Sequence, residues 1–307
     1  MKIFLISPNI NALFSPDQID SLKQAGDVIF HSEVNGFDSV EGLFTGDEDR
    51  ILAIDPDFCD WKVPNDVIER IPHLKAIVLQ TTSFSWLDVN FAKTLSIPVI
   101  NLRGFSKIAV AEWATMMVFA LARRLPVIIK DEWKQDYIKH QGIELRGKTA
   151  GIIGLGNIGR SVAENMAGLG MKVQYWSKNT TDDRFERVEL SQLMKTSDVI
   201  IPTVAQNEET HGLITDEMLG SMKKTAIFAS IIHNVYNHDL LLKMVANDGL
   251  FGYGFEESKP SMLDHKGNVW AGPELAWCTE DSMRKNAEQW VEAIIQATKS
   301  KFPNRVN

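Results

Sequence analysis

The sequence predicts an α/β protein whose parallel β-sheets are covered by helices on both faces. Three observations predict it. Short apolar runs that read as strands alternate with amphipathic stretches along most of the chain, the pattern that puts helices on both sides of a parallel sheet. Residues 150–160, AGIIGLGNIGR, lead a strand through three glycines into a helix. A length of 307 residues with 44% apolar content suffices for two cores of about 150 residues each.

Residues 2–7 open as a strand. Ser15-Pro16-Asp17-Gln18 then reads as a capping box with proline at the first helical position, and Gly26 ends that helix. Strands are expected at 28–31, 50–54 and 76–80, with a helix at 65–71. After a short strand at 97–101 comes a long helix at 106–125, whose apolar residues Ile108, Trp113, Met117 and Leu121 suit a core or a subunit interface. Past the glycines, a helix at 161–169 and a strand at 172–176 complete a βαβ unit. Strands follow at 198–204, 225–231 and 250–254, and Asn237 caps a helix at 239–247 that Gly249 ends. The last helix, 280–298, has nothing of its own to pack on in this second unit, so it is expected to return to the first. Residues 1–101 plus 276–307 are thus expected to form one domain and 102–275 an inserted one, with the cleft between them as the default active site.

Composition narrows the function. A net charge of −8 without a basic cluster argues against nucleic acid, which needs several Lys or Arg on one face. Cys59 and Cys278 are too few for a disulfide framework or a thiolate metal site and read as ordinary, partly buried thiols. His140, His211, His238 and His265 lack metal-ligand spacing, so no metal is expected. The opening MKIFLIS reads as a strand, and no apolar run reaches the roughly 18 residues that span a bilayer. A cytoplasmic protein without a membrane partner is the expectation.

The glycine run carries the chemistry. Gly154 allows a sharp turn, Gly156 lets backbone amides approach a pyrophosphate, and Gly159 lets the helix lie against the strand. Asn157 and Ile158, between Gly156 and Gly159, are expected cofactor contacts ahead of the helix, whose N-terminus favours an anion. Alone such a motif is weak; inside a βαβ unit it points to a dinucleotide. In an NAD-selective site an acid ends the second strand and binds the ribose hydroxyls. Ser177 stands in that place, followed by Lys178, Asn179 and Thr180, which suit a 2′-phosphate. NADP is therefore expected, with NAD as the alternative and Lys178 as a plain solvated turn residue on that view. Val204, Ser230, Ile232 and Glu256, near the ends of later strands, are further expected cofactor contacts.

The whole chain resembles the D-isomer-specific 2-hydroxyacid dehydrogenases. The ordered motifs are Ile97-Pro98-Val99-Ile100-Asn101 with Gly104, Ala109-Val110-Ala111-Glu112, GLGNIGR, Ser197-Asp198-Val199 with Glu209-Thr210, Asp248-Gly249 with Gly252, and Asn268-Val269 before Gly272-Pro273. The resemblance implies two Rossmann-like domains, the dinucleotide-binding one inserted into a flavodoxin-like substrate domain, and a homodimer joined through the helix at 106–125. It implies hydride transfer between a nicotinamide and C2 of a small 2-oxo or 2-hydroxy acid. An Arg normally binds and polarises the substrate, a His is the general acid, and a Glu tunes that His.

This chain departs at each position. Where the family has a segment like N-T-A-R-G, it has Ser230-Ile231-Ile232-His233-Asn234, so His233 replaces the Arg. Glu274 follows Pro273 where the His is usual, and in Glu256-Glu257-Ser258-Lys259-Pro260 either Glu257 or Lys259 takes the place of the Glu. In the substrate loop Ser83 replaces a usual Gly, between Thr82 and Phe84. Phe84 or Trp86 would narrow that pocket, unless Trp86 serves surface packing, and Arg103 reads as the partner of a surface carboxylate. Three readings follow. His233 and Glu274 have exchanged chemical types, with Glu274 holding His233 protonated and Lys259 contacting the substrate carboxylate; or the chain is a silent dinucleotide-binding protein; or it acts on a carbonyl compound without a carboxylate.

Overall fold

Every pairing between named strands is parallel, in two separate sheets. The computed structural model describes residues 1–307, with the side chain of Asn11 outside the description. The chain divides into one unit of Met1–Ser106 with Thr279–Asn307 and a second of Lys107–Cys278.

The first unit runs β1 (Lys2–Ile6), α1 (Ile10–Leu13), α2 (Pro16–Ala25), β2 (Asp27–His31), β3 (Arg50–Ile54), α3 (Asn65–Arg70), β4 (Leu74–Leu79), α4 (Val89–Thr94) and β5 (Val99–Ile100). Its sheet order, β2-β1-β3-β4-β5, is the flavodoxin-like one. The capping box forms: Ser15 Oγ accepts from the Gln18 amide while Gln18 Oε1 accepts from the Ser15 amide. Helix Glu280–Thr298 packs on this sheet. Its Trp290 is fully buried, stacks on Phe14 and donates Nε1–H to the Val78 carbonyl at 3.2 Å, and Asn286 donates to the Gln80 carbonyl at 2.7 Å. An indole hidden this way contributes apolar burial without an orphaned N–H.

The second unit runs α5 (Lys107–Ala122), α6 (Leu125–Lys130), β6 (Thr149–Ile153), α7 (Asn157–Gly168), β7 (Lys172–Trp176), β8 (Glu186–Arg187), α8 (Leu190–Thr196), β9 (Val199–Pro202), α9 (Asp216–Gly220), β10 (Ile227–Ala229), α10 (His238–Ala246), β11 (Gly252–Glu256) and β12 (Val269–Gly272); the helix Glu280–Thr298 is α11. The strand order is β12-β11-β10-β9-β6-β7-β8. It reverses between β6 and β9, the point at which open parallel sheets take their ligands. β6 is buried almost throughout and packs with Val162 and Met166 of α7 and Met117 and Leu121 of α5.

Several expected boundaries shift. The helix expected at 106–125 is α5, which stops at Ala122; Arg124 then takes a left-handed φ of 52°, and Pro126 sits in the first turn of a further short helix, α6. Met117 and Leu121 are buried there, but Ile108 is exposed. β11 extends beyond 254 to Glu256, making that carboxylate the last residue of a buried strand. Cys59 is half-buried, whereas Cys278 is exposed rather than partly buried.

Candidate cofactor and catalytic site

The glycine bend joins β6 to α7 at the strand-order reversal. Gly154 has a φ of +97°, and a Cβ there would lie 2.7 Å from Val204 Cγ1 and 2.9 Å from the Val204 amide, so glycine alone lets the half-buried Val204 close the crevice. At Gly159 a Cβ would overlap the Gly154 carbonyl oxygen. Gly156 differs: a Cβ there meets nothing within 4 Å. No side chain caps α7, and the amides of Asn157, Ile158 and Gly159 have no acceptor among the described residues. An uncapped helix end beside open space fits a diphosphate. A reduced nicotinamide dinucleotide bound there supplies a hydride.

The turn after β7 carries no carboxylate in its first four residues. Ser177 is buried and its carbonyl accepts from Arg187 Nη2 at 2.9 Å. Lys178 is 65% exposed and pairs with Glu209 at 2.8 Å, a contact that holds Glu209 below its ordinary pKa. Asn179 is exposed and Thr180 half-buried. Arg160, the fourth residue of α7, reaches the Thr181 carbonyl at 3.4 Å.

The segment after β10 is held from below. Buried Ser230 donates to the Ile232 carbonyl at 2.7 Å, and Tyr236 donates to the same oxygen at 3.1 Å. Tyr253 donates to Tyr236 at 3.0 Å, so His238 Nδ1, 2.8 Å from the Tyr253 hydroxyl, must carry the proton it donates. Burial lowers the His238 pKa and raises those of both tyrosines. The His233 amide donates to Gln206 Oε1 at 2.9 Å. The His233 ring is 42% exposed, and its Nε2 lies 3.7 Å from Oε1 of Glu274, itself 55% exposed. Glu256 ties this end together: its Oε1 accepts from the amides of Leu275 at 3.1 Å and Ala276 at 3.0 Å. Burial, with nearby Glu274, pushes the Glu256 carboxyl up to about 7 against those two bonds.

Lys259 is exposed and forms no ion pair among the described residues. Glu257 Oε1 accepts from the Ser261 amide at 3.1 Å and lies 3.9 Å from His265 Nε2. In the first unit the Thr82 carbonyl accepts from Asn101 at 2.6 Å, and the Ser83 carbonyl from Thr81 at 2.7 Å and from Trp86 Nε1 at 2.9 Å. The Thr82, Ser83 and Phe84 amides themselves have no acceptor among the described residues. Trp86 is buried in the core instead of packing at the surface, while Phe84 is exposed. Arg103 bonds Asn101 Oδ1 at 3.3 Å instead of a surface carboxylate. No described His, Cys, Asp and Glu groups cluster as a metal site, and no described helix is long and apolar enough to cross a membrane.

A profile of the "D-isomer specific 2-hydroxyacid dehydrogenase, NAD binding domain" matches residues 115–276. The chain belongs to the D-isomer-specific 2-hydroxyacid dehydrogenase family. It is 28% identical over 306 residues to a glyoxylate reductase of Thermofilum pendens, covering 93% of this chain and 89% of that one. It is 33% identical over 250 residues to a hydroxypyruvate reductase of Thermotoga maritima, covering 76% and 81%. Among solved structures, an acyclic imino acid reductase (Bsp5) in complex with NADPH and D-Arg superposes with a TM-score of 0.83 at 25% identity, covering 100% of both chains. As a D-2-hydroxyacid dehydrogenase family member the protein is an NAD(P)-dependent oxidoreductase, and a nicotinamide dinucleotide is its cofactor.

Within this dehydrogenase frame, the sequence did not single out Gln206, Tyr236 or Arg187, which hold the segments bearing His233 and Ser177. Only Tyr236 left a trace, as an aromatic among apolar residues just before the Asn237 cap.

Two predictions follow from this geometry. Gly156→Val should leave the urea midpoint within the ordinary scatter of surface substitutions and weaken dinucleotide binding at least about tenfold in calorimetry, whereas Gly159→Ala should lower the midpoint itself. Glu256 has a folded pKa above its unfolded one, so its contribution to stability is complete below about pH 4.5 and is lost as pH rises through about 7. Urea midpoints of the cofactor-free protein from pH 5 to 8 should therefore fall more steeply for wild type than for Glu256→Gln; parallel curves would contradict this.

Proposed function

We propose that the protein uses NADPH to reduce a small 2-oxo acid, such as glyoxylate, hydroxypyruvate or pyruvate, to the 2-hydroxy acid of D configuration where C2 is chiral. The approach of His233 Nε2 to Glu274 Oε1, 3.7 Å, carries this reading. It supports an exchange of roles across the site: the His233 imidazolium polarises the carbonyl and gives its proton to the developing alkoxide, with the Glu274 carboxylate balancing its charge. Glu256 holds the turn bearing Glu274 through the Leu275 and Ala276 amides. The free amides of Thr82, Ser83 and Phe84 suit the substrate carboxylate. Neither Glu257 nor Lys259 has a contact that favours it as the replacement for the family's Glu.

The preference for NADPH rests on Ser177, Lys178, Asn179 and Thr180, where a carboxylate would repel a 2′-phosphate. An exposed, solvent-screened pair such as Lys178 with Glu209 is weak, so Lys178 can exchange Glu209 for a phosphate at little cost. Gly154, Gly156, Asn157, Ile158 and Gly159 take the diphosphate, with Val204, Ser230, Ile232 and Glu256 toward the nicotinamide. Two copies are proposed to pair through α5, where Ile108 and Phe119 are exposed.

Calorimetry should show NADPH binding more tightly than NADH, and Lys178→Ala should weaken NADPH about tenfold while changing NADH less than twofold; tighter NADH binding refutes the assignment. In the same preparations His233→Ala should lower kcat on the oxo acids about 10²-fold, and equal turnover would remove His233 from the mechanism. Light scattering should return the mass of two chains, and a single-chain mass would refute the pairing.

A further inference from the structure

The charges around the reacting carbon suit a second class of substrate. The family's site surrounds a developing alkoxide with an Arg and a protonated His. This chain puts His233 and Glu274 at those two positions, so one permanent cation is gone and one carboxylate has been added. Titratable groups nearby do not restore the balance. Glu256 packs under the Glu274 turn, Glu257 and His265 face each other at 3.9 Å, and His238 is committed to Tyr253. Lys259 is exposed and unpaired among the described residues. For a ketone this is a poor exchange, because negative charge grows on oxygen beside a carboxylate.

We propose that the protein also reduces the C=N bond of iminium ions formed from 2-oxo acids and primary amines, and does so faster than it reduces the parent ketone. The inference rests on the NADPH-dependent 2-oxo acid reading above, and assigns Glu274 as the group that stabilises the cationic substrate. A 2-oxo acid and an alkylammonium ion condense in solution to the iminium with loss of water. At the site the iminium carbon takes a hydride from the reduced nicotinamide, which is oxidised, and the C=N π pair moves onto nitrogen. The product is a neutral N-alkyl amino acid amine, and no proton is consumed in the step. For the ketone the C=O pair moves onto oxygen, and the alkoxide must take a proton from His233. A weakened or removed proton donor is therefore costly for C=O and nearly irrelevant for C=N. An anion at position 274 opposes charge development on oxygen but favours an iminium cation.

The test compares pyruvate with NADPH, with and without methylammonium, in wild type, His233→Ala and Glu274→Gln. Methylammonium should raise the rate of NADPH oxidation at least about tenfold. His233→Ala should lower the rate with pyruvate alone about 10²-fold and the methylammonium-dependent rate less than about tenfold; Glu274→Gln should lower the methylammonium-dependent rate by the larger factor of the two variants. Binding gives a readout independent of turnover. With oxidised cofactor present, calorimetry should show N-methyl-D-alanine binding more tightly than D-lactate, and Glu274→Gln should abolish the difference. Turnover of pyruvate with no gain from methylammonium, or equal loss of both rates in His233→Ala, overturns this inference and leaves the oxo-acid reading standing. No NADPH oxidation under any condition, by protein that binds NADPH, overturns both.

Discussion

The second unit depends on one close approach, that of α7 to β6 with no side chain between them. A Cβ on Gly159 would overlap the Gly154 carbonyl oxygen, and one on Gly154 would strike Val204. With both absent, the helix starts immediately beside the strand and its first amides stay without intramolecular acceptors. The binding end of the fold thus follows from a packing constraint, and the electrostatic preference for a diphosphate comes with it. Gly156, where a Cβ would touch nothing, is the member of the trio that this packing does not require.

At the ends of β10 and β11 a second constraint operates, and it is polar. Ile232 is held through its carbonyl by Ser230 and Tyr236, the His233 amide by Gln206, and the turn bearing Glu274 by Glu256. The facing side chains are half-exposed, but the backbone under them is fixed by the buried Ser230, Tyr236 and Glu256, with exposed Gln206 holding the His233 amide. The exchange of Arg and His for His and Glu that the family resemblance implies would therefore change charge without loosening the frame. The chemistry proposed for this chain comes from that separation of scaffold from charge.

Much of this was legible in the sequence because the signals are local. The bounds of α11, β3 and β7 read directly from apolar spacing, and α2 announced itself by a capping box whose two hydrogen bonds form. The break between α5 and α6 did not, since it depends on a left-handed Arg124 in a run otherwise suited to one helix. Trp86 looked like a surface or pocket residue, but its indole N–H finds the Ser83 carbonyl and its ring joins the core. That outcome depends on how a loop folds back, which spacing does not encode. Arg103 likewise found Asn101 two residues away in place of a distant carboxylate. The replacements at 233 and 274 were visible as residue types; the 3.7 Å between them required two separate loops to be built.

Trp290 and Asn286 reach the carbonyls of β4 and its first following residue from a helix encoded after the entire second unit. During synthesis the opening sheet therefore waits, one face covered only in part by α1 and α2, while Lys107–Cys278 emerges from the ribosome with all its own strands. The inserted unit can mature first, and the earlier-made one is sealed last, in reverse of the order in which the two begin.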